Sequence, residues 1–409
     1  MMPTCLILTS EYPPLVLGGV GRYVHEVAHR LRRHLRVAVM VVPTYQPGDE
    51  DRDGAAAADD DGLAVALAGN DYRRALAATT SATDAGALAG LGTAADAIAD
   101  RCLRMLVDAP VDDTPVIYVQ DYALSPVAAA LRARLPGARV VAACHLPVYA
   151  GFTYFDKPIA DAIHQVLEAR LVHLAQRVVV PSAFAAHVLG LTHNVSRAKL
   201  AVIPLGAERP EPSKPMPTLP LRLLAVGRAT EQKGHHFLLQ ALKGLLVHHD
   251  VQLTIAAGAT GRARLGVMAG RLGVAAHIRF EEALTLDAMW ALYDSHHVLV
   301  TTSLYETFGL AVLEAMASGR PTVGFAVGAL PALWGPDLAG AFGTPVADVA
   351  ALVARLQALF ADERALAALG ARAECRARSF GWARHVDALL EVLQPRHVVK
   401  RDAQEPAWG

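Results

Sequence analysis

The sequence predicts an α/β protein built from two doubly wound, parallel-sheet domains. Three observations carry this. Strand-length apolar runs alternate with helix-length segments along the 409 residues, a rhythm that places helices on both faces of parallel sheets. The alternation occurs twice, and the length suits two domains at roughly 150 residues each. Between the two series lies GAERPEPSKPMPTLP (206–220), with five prolines in fifteen residues, which fits neither a helix interior nor a central strand.

In chain order, the strands of the first series are read in CLILTS, RVAVMVV, VIYVQ, RVVAAC, RVVVPS and AVIPL. Those of the second are LRLLAVG, QLTIAAG, HIRF, HVLVTTS and PTVGF. The expected organisation is a first domain over 1–205, a linker over 206–220 and a second domain over 221–381. The segment PGDEDRDGAAAADDDG (47–62) is acidic and poor in large apolar residues, so it reads as a surface loop.

Bulk properties exclude several classes. The formal charge is -1, and residues 1–205 hold 18 basic and 20 acidic residues against 20 and 19 in the remainder. Neither half has the basic footprint of nucleic-acid binding. No apolar run reaches the ~18 residues of a membrane helix, and the start MMPTCLILTS lacks a basic segment before its apolar residues, so a cytoplasmic location is expected. Cys5, Cys102, Cys144 and Cys375 are widely spaced and are read as buried thiols rather than a zinc or disulfide framework. In RYVHEVAHRLRRHLR (22–36) the arginines decorate a helix, read as a solvated face in preference to a membrane-surface one.

Four stretches carry candidate chemistry. In ETFGLAVLE (306–314) a helix start between Thr307 and Gly309 leaves Glu306 on the preceding loop and Glu314 about one turn inside. The unpaired N–H groups at that start suit an anion such as phosphate. Solvated carboxylates at the two ends of a core helix explain the stretch equally well. Gly18, Gly19 and Gly21 precede a helix after the first strand, where a backbone without Cβ can approach phosphate. They do not form a dinucleotide fingerprint, because the third small residue falls on Val24 and no acidic residue follows at the required distance. Arg228 and Lys233, after the first strand of the second domain, suit a diphosphate or are simply solvated. His145 ends a strand in VVAACHLPVYAG and by itself reads as a core histidine.

Taken together, GGVGRY, VGR…KG (226–234), YETFGLAVLEAMASGRPTV (305–323) and SFGW (379–382) resemble, in order and spacing, the retaining sugar-nucleotide glycosyltransferases of glycosyltransferase family 4. The resemblance covers nearly the whole chain. It implies a GT-B fold, two Rossmann-like domains facing a cleft, with a last helix, about 382–400, crossing back to the first domain. It also implies that Glu306 contacts the donor sugar and Glu314 the ribose. Backbone amides at Phe308, Gly309 and Leu310, with Gly18 or Gly19, would meet sugar and phosphate, and Arg228 and Lys233 would bind the diphosphate. His145 would lie beside the reacting sugar.

The partners implied are a nucleotide-sugar donor, UDP-linked by expectation, and a soluble small-molecule acceptor, without cofactor or metal. The acceptor is placed on the first domain, near Asp121 and the aromatic run Tyr149, Phe152, Tyr154 and Phe155, which could equally be a packed loop core. The D-x-D strings at 51–53 and 59–61 are read as solvated charges rather than a metal site. A lipid acceptor, a sugar-nucleotide epimerase and a non-catalytic binding protein remain open, as does a covalent route beside front-face attack. The chain departs from the family pattern at Leu146, at Leu205, and in the loop FAVGALPALW, where Gly328-Ala329 and Pro331-Ala332 replace a glycine pair and an acidic residue.

Overall fold

The computed structural model describes residues 3–13, 19–44, 57–58, 63–81, 85–106, 115–148, 162–218, 220–258, 261–282 and 285–394. The first domain holds β1 (Thr4–Thr9), β2 (Arg36–Val41), β3 (Ala57–Ala58), β4 (Ala64–Leu67), β5 (Val116–Val119), β6 (Arg139–Ala143), β7 (Arg177–Val180) and β8 (Leu200–Val202). The second holds β9 (Leu221–Val226), β10 (Val251–Ala256), β11 (Ile278–Glu281), β12 (Val298–Thr301), β13 (Thr322–Phe325) and β14 (Gly343–Thr344). Every predicted strand is present. β3, β4 and β14 escaped the sequence reading, and β3 falls inside the stretch read as an acidic surface loop.

The sheet orders are β3-β4-β2-β1-β5-β6-β7-β8 and β11-β10-β9-β12-β13-β14. All pairings are parallel except β3 with β4. β1 shows why its run is continuously apolar. Cys5 and Ile7 enter the core on one face, Leu6 and Leu8 that on the other, because successive side chains alternate across a strand. In each sheet the strand order reverses once, between β1 and β5 and between β9 and β12. Chain leaving such a reversal point diverges to opposite faces and opens a crevice at the strands' carboxyl ends.

The helix Trp382–Leu393 belongs to the first domain's core, where Trp382, Val386, Leu389 and Leu393 are buried with Ile7, Tyr23 and Tyr118. Burying a valine or leucine side chain there is worth about 1.5–3 kcal/mol. Tyr23 Oη contacts Tyr118 Oη at 2.7 Å and His385 Nε2 at 3.0 Å, and His385 Nδ1–H donates to the Pro204 carbonyl at 2.8 Å. The two chain crossings between domains run side by side: Ala207 N–H donates to the Phe380 carbonyl at 2.9 Å, and a Cβ on Gly206 would lie 2.5 Å from the Trp382 nitrogen.

The proline-rich stretch is strapped to the second domain. Arg209 forks onto Asp294 at 2.5 and 2.7 Å, buried Arg320 donates to the Lys214 carbonyl at 2.7 Å, and Ser213 donates to Glu374 at 2.8 Å. Cys5, Cys102 and Cys144 are buried as expected, but Cys375 is exposed, because it sits on the outer side of the helix Glu363–Ala377 among charged neighbours. No helix among the described residues is long and apolar enough to cross a membrane.

Candidate active site in the interdomain cleft

The second domain builds its part of the site at its reversal point. After β9 the chain passes Gly227 and exposed Arg228 into the turn Glu231–Lys233. That turn is stapled to the loop after β12: Leu304 N–H donates to the Gln232 carbonyl at 2.8 Å, Gln232 Nε2 to the Tyr305 carbonyl at 3.1 Å, and Thr302 Oγ1 to the Lys233 carbonyl at 3.1 Å. Gly234, at φ +59°, closes the staple, and a Cβ there would fall 2.1 Å from the Thr302 carbonyl oxygen. The result is an ion pair between Lys233 Nζ and Glu306 Oε2 at 2.7 Å, both partly open to the cleft. Arg228 makes no side-chain ion pair among the described residues.

Glu306 is held from behind. Ala329 N–H donates to its carbonyl at 2.9 Å, and Gly328, at φ +56°, comes so close that a Cβ would sit 2.0 Å from the same oxygen. The loop that departs from the family pattern therefore supports the Glu306 backbone. Gly309, at φ +93°, caps the helix Leu310–Ala317, whose first N–H groups have no carbonyl of their own helix to reach. In the first domain the helix Gly19–Leu31 begins opposite: a Cβ on Gly19 would lie 3.8 Å from Leu310. Two helix N-termini, one from each domain, thus meet in the cleft. Phe308 is buried, its ring 6.1 Å from that of Phe380.

Glu314 lies one turn into its helix, 3% exposed. Its Oε1 pairs with Arg22 Nη1 of the first domain at 2.8 Å, and its Oε2 accepts from Tyr293 Oη at 2.8 Å. Burial pushes the Glu314 carboxyl upward, with Arg22 and the Tyr293 hydrogen bond opposing. Arg22 also sits 5.8 Å from the centre of the Trp290 ring, within cation–π range. This corrects the view of the Arg22–Arg36 segment as a merely solvated face. Arg22 spans the cleft.

The first domain contributes residues from the ends of β5, at its reversal point, and of the neighbouring β6. His145 follows β6, its Nε2 donating to Gln120 Oε1 at 3.0 Å and its ring edge-on to Tyr23 at 4.7 Å. Burial, reinforced by His385, pushes its imidazole down to about 4, so the ring is neutral at physiological pH. Thr307 Oγ1 donates to the His145 carbonyl at 2.7 Å, and Ser182 Oγ donates to the Thr307 carbonyl at 2.6 Å. These bonds hold the loop bearing Glu306 against the first domain. Asp121 is part of the local scaffold: Oδ1 accepts from Ala123 N–H at 2.9 Å and Oδ2 from Thr44 at 3.3 Å. It still lines a cavity of about 130 Å³ with His145 and Gln120. Gly18, Tyr149, Phe152, Tyr154, Phe155 and the D-x-D strings lie outside the described residues. No cluster of metal-ligating side chains occurs among the described residues.

Comparison with known proteins gives this geometry its context. Residues 17–209 match the family model Glycosyltransferase Family 4, and residues 210–376 match Glycosyl transferases group 1. The chain belongs to glycosyltransferase family 4. It is 32% identical over 234 residues to an MMP alpha-(1->4)-mannosyltransferase from Mycolicibacterium hassiacum (57% of this chain, 54% of that one). To a glycogen synthase from Mycobacterium tuberculosis it is 29% identical over 431 residues (98% and 96%). Among solved structures it superposes on sucrose-phosphate synthase from Thermosynechococcus elongatus with a TM-score of 0.76 at 19% identity, covering 95% and 98% of the two chains, which shows a shared GT-B fold. The chain spans 28%, 54% and 39% of the length of the first curated relatives it matches.

Sequence reasoning missed Arg22, Tyr293, Gln120 and Thr307. One signal for Arg22 was available: a helix starting at Gly19 puts Arg22 three residues on, on the same face as the glycine. Tyr293 had no comparable local mark, since its hydroxyl matters only through its contact with Glu314.

Proposed function

We propose that this family-4 glycosyltransferase moves a sugar from a nucleoside diphosphate sugar to a soluble small-molecule acceptor with retention of anomeric configuration. The observation that supports the reading is the meeting of two helix N-termini, at Gly19 and Leu310, near the Lys233–Glu306 pair. Bond breaking between the anomeric carbon and the diphosphate builds negative charge on the leaving oxygen. In this reading Arg228, Lys233 and the helix N-termini supply the positive charge and dipoles that stabilise that oxygen. The ammonium of Lys233 has three N–H groups, so it can keep Glu306 and still donate to a phosphate oxygen.

Glu306 then accepts from donor-sugar hydroxyls. Glu314, whose carboxylate offers about four acceptor sites, retains capacity for ribose hydroxyls beside Arg22 and Tyr293. The acceptor hydroxyl attacks the anomeric carbon from the face the diphosphate leaves, giving its proton to a departing phosphate oxygen. Neutral His145 lines the acceptor side. Relatives named for glycogen synthesis and mannosyl transfer support a carbohydrate-type acceptor.

The test is incubation with a panel of sugar nucleotides, UDP-linked ones included, with and without pooled soluble metabolites. Nucleoside diphosphate release and product masses are followed, and the anomeric configuration is read by NMR. Acceptor-dependent release with retention is expected. Binding without turnover, or donor conversion with no acceptor present, would refute the reading.

A further inference from the structure

We propose that Glu168 is a positioning residue of the transfer reaction, its buried side chain pinning both ends of the loop Cys144–Val148 and thereby fixing His145 on the acceptor side. The proposal rests on the glycosyl-transfer reading above and adds a residue that acts through His145. Glu168 lies on the helix Ala162–Leu174 and is 2% exposed. Its neighbours Leu167, Leu171 and Val172 are buried in the first domain's core, so the helix is fixed against the sheet.

A carboxyl buried in such company is costly unless hydrogen-bonded, and an apolar side chain would serve packing as well. Three donors meet this one. Val148 N–H at 2.9 Å and the Cys144 thiol at 3.7 Å donate to Oε1, and His193 Nε2 donates to Oε2 at 2.7 Å. Burial and the adjoining Glu168 push the Cys144 thiol well above its ordinary range, which keeps its proton available to donate.

These bonds bracket His145. The loop leaves β6 at Cys144, whose N–H donates to the Val179 carbonyl at 2.9 Å, and one Glu168 oxygen ties its first residue to its last. Between them the His145 ring bonds Gln120 Oε1 at 3.0 Å, and the His145 carbonyl accepts from Thr307 Oγ1 of the second domain at 2.7 Å. His193 ends the helix Ala183–His193, whose N-cap Ser182 donates to the Thr307 carbonyl at 2.6 Å. Glu168 thus joins, inside the first domain, the His145 loop to a helix that contacts the second. Without it the loop ends are free to shift, and a misplacement of about 1 Å costs on the order of 10²-fold in rate.

Two substitutions separate reach from charge. Glu168→Gln keeps the length: its carbonyl serves Val148 and Cys144, and its NH₂ donates to His193 Nε2, which accepts in the other neutral tautomer. Glu168→Asp keeps the charge but shortens the arm by roughly 1.5 Å, one carbon–carbon bond, so it cannot hold both Val148 and His193 within hydrogen-bond range. The full chain is assayed with the donor and acceptor found in the panel above, both saturating. Glu168→Asp and Glu168→Ala should lower kcat at least about tenfold with donor Kd within about twofold, while Glu168→Gln stays within about threefold of wild type. Leu167→Ala removes buried packing at the adjacent position and should lower the melting temperature without lowering kcat of the folded enzyme. Aspartate outperforming glutamine overturns the proposal, as does a loss of kcat in Leu167→Ala equal to that in Glu168→Ala. Hydrogen exchange gives a readout independent of turnover: the Val148 amide should exchange at least about fivefold faster in Glu168→Asp than in wild type, and at nearly the wild-type rate in Glu168→Gln. If no donor turns over, the transfer reading fails by itself, and Val148 exchange still decides whether Glu168 holds the loop; equal exchange in all variants overturns that.

Discussion

Replacing Gly328 by alanine tests how closely the loop after β13 controls the catalytic region. The added Cβ would lie 2.0 Å from the Glu306 carbonyl oxygen, whereas real contacts of this kind begin near 3.0 Å, so the Glu306 backbone must retreat by about 1 Å. The retreat also strains the Ala329 N–H bond to the same oxygen, now 2.9 Å. A displacement of about 1 Å in a positioning element costs on the order of 10²-fold in rate. The left-handed backbone at φ +56° adds roughly 1–2 kcal/mol of destabilisation for any residue with a Cβ, or about 2–8 °C in melting temperature for a domain of this size. The assay is nucleoside diphosphate release under saturating donor, with thermal unfolding measured in parallel. Gly340→Ala is the control, since nothing lies within 4 Å of its Cβ position; it should match the wild type in rate and unfold no earlier. If Gly328→Ala retains kcat within about threefold of wild type while remaining folded, the Glu306 backbone is not held as described.

Glu306→Ala should lower kcat with little change in donor affinity, and Glu314→Ala should mainly weaken nucleotide binding; equal small effects on both in steady-state kinetics and calorimetry would return the two carboxylates to a structural role. Arg22→Ala leaves the buried Glu314 carboxylate without its cation, so donor KM should rise at least about tenfold, with partial recovery in Arg22→Lys; an unchanged KM would disprove a role for the contact in donor binding. Burial pushes His145, His235, His296 and His385 down to about 4, against about 6.5 when unfolded. Between these values the unfolded chain binds more protons, so stability falls as pH falls from about 6.5 to 4, by at most about 1.4 kcal/mol per pH unit for each histidine. Urea midpoints that stay level from pH 7 to pH 5 would contradict this.

The legible parts of the fold were those in which local pattern and burial coincide. Strands such as CLILTS are buried on both faces, so their apolar runs are continuous and unmistakable. β4 was hidden because GLAVALAG is mostly alanine and glycine, which mark neither a strand nor a helix, and the two-residue strands β3 and β14 are too short to show any period. In the site, Gly309 marked the helix start and thereby separated Glu306 from Glu314. The partners of Glu314 were not legible, because Arg22 reaches it across the two domains and Tyr293 from another helix of its own domain, 21 residues away in sequence. Asp121 was recognised by its place at a strand end, but its bonds to Ala123 and Thr44 depend on the folded turn. Cys375 shows the limit of residue-type reasoning, since a thiol on the charged side of a helix is exposed whatever its average habit.

The helix Trp382–Leu393 completes a core whose other members were all translated before residue 204. At about 5–20 residues per second, roughly 10 to 40 s pass on the ribosome between Ile203 and Leu393. During that interval Ile7, Tyr23 and Tyr118 wait with one apolar side uncovered. The second domain can close around its own core meanwhile, so the nascent chain carries a finished C-terminal half attached to an unfinished N-terminal one. Chains released before residue 393 therefore have a sticky surface for chaperones to hold and proteases to find, and a stop codon near residue 380 would damage the acceptor side more than the donor side.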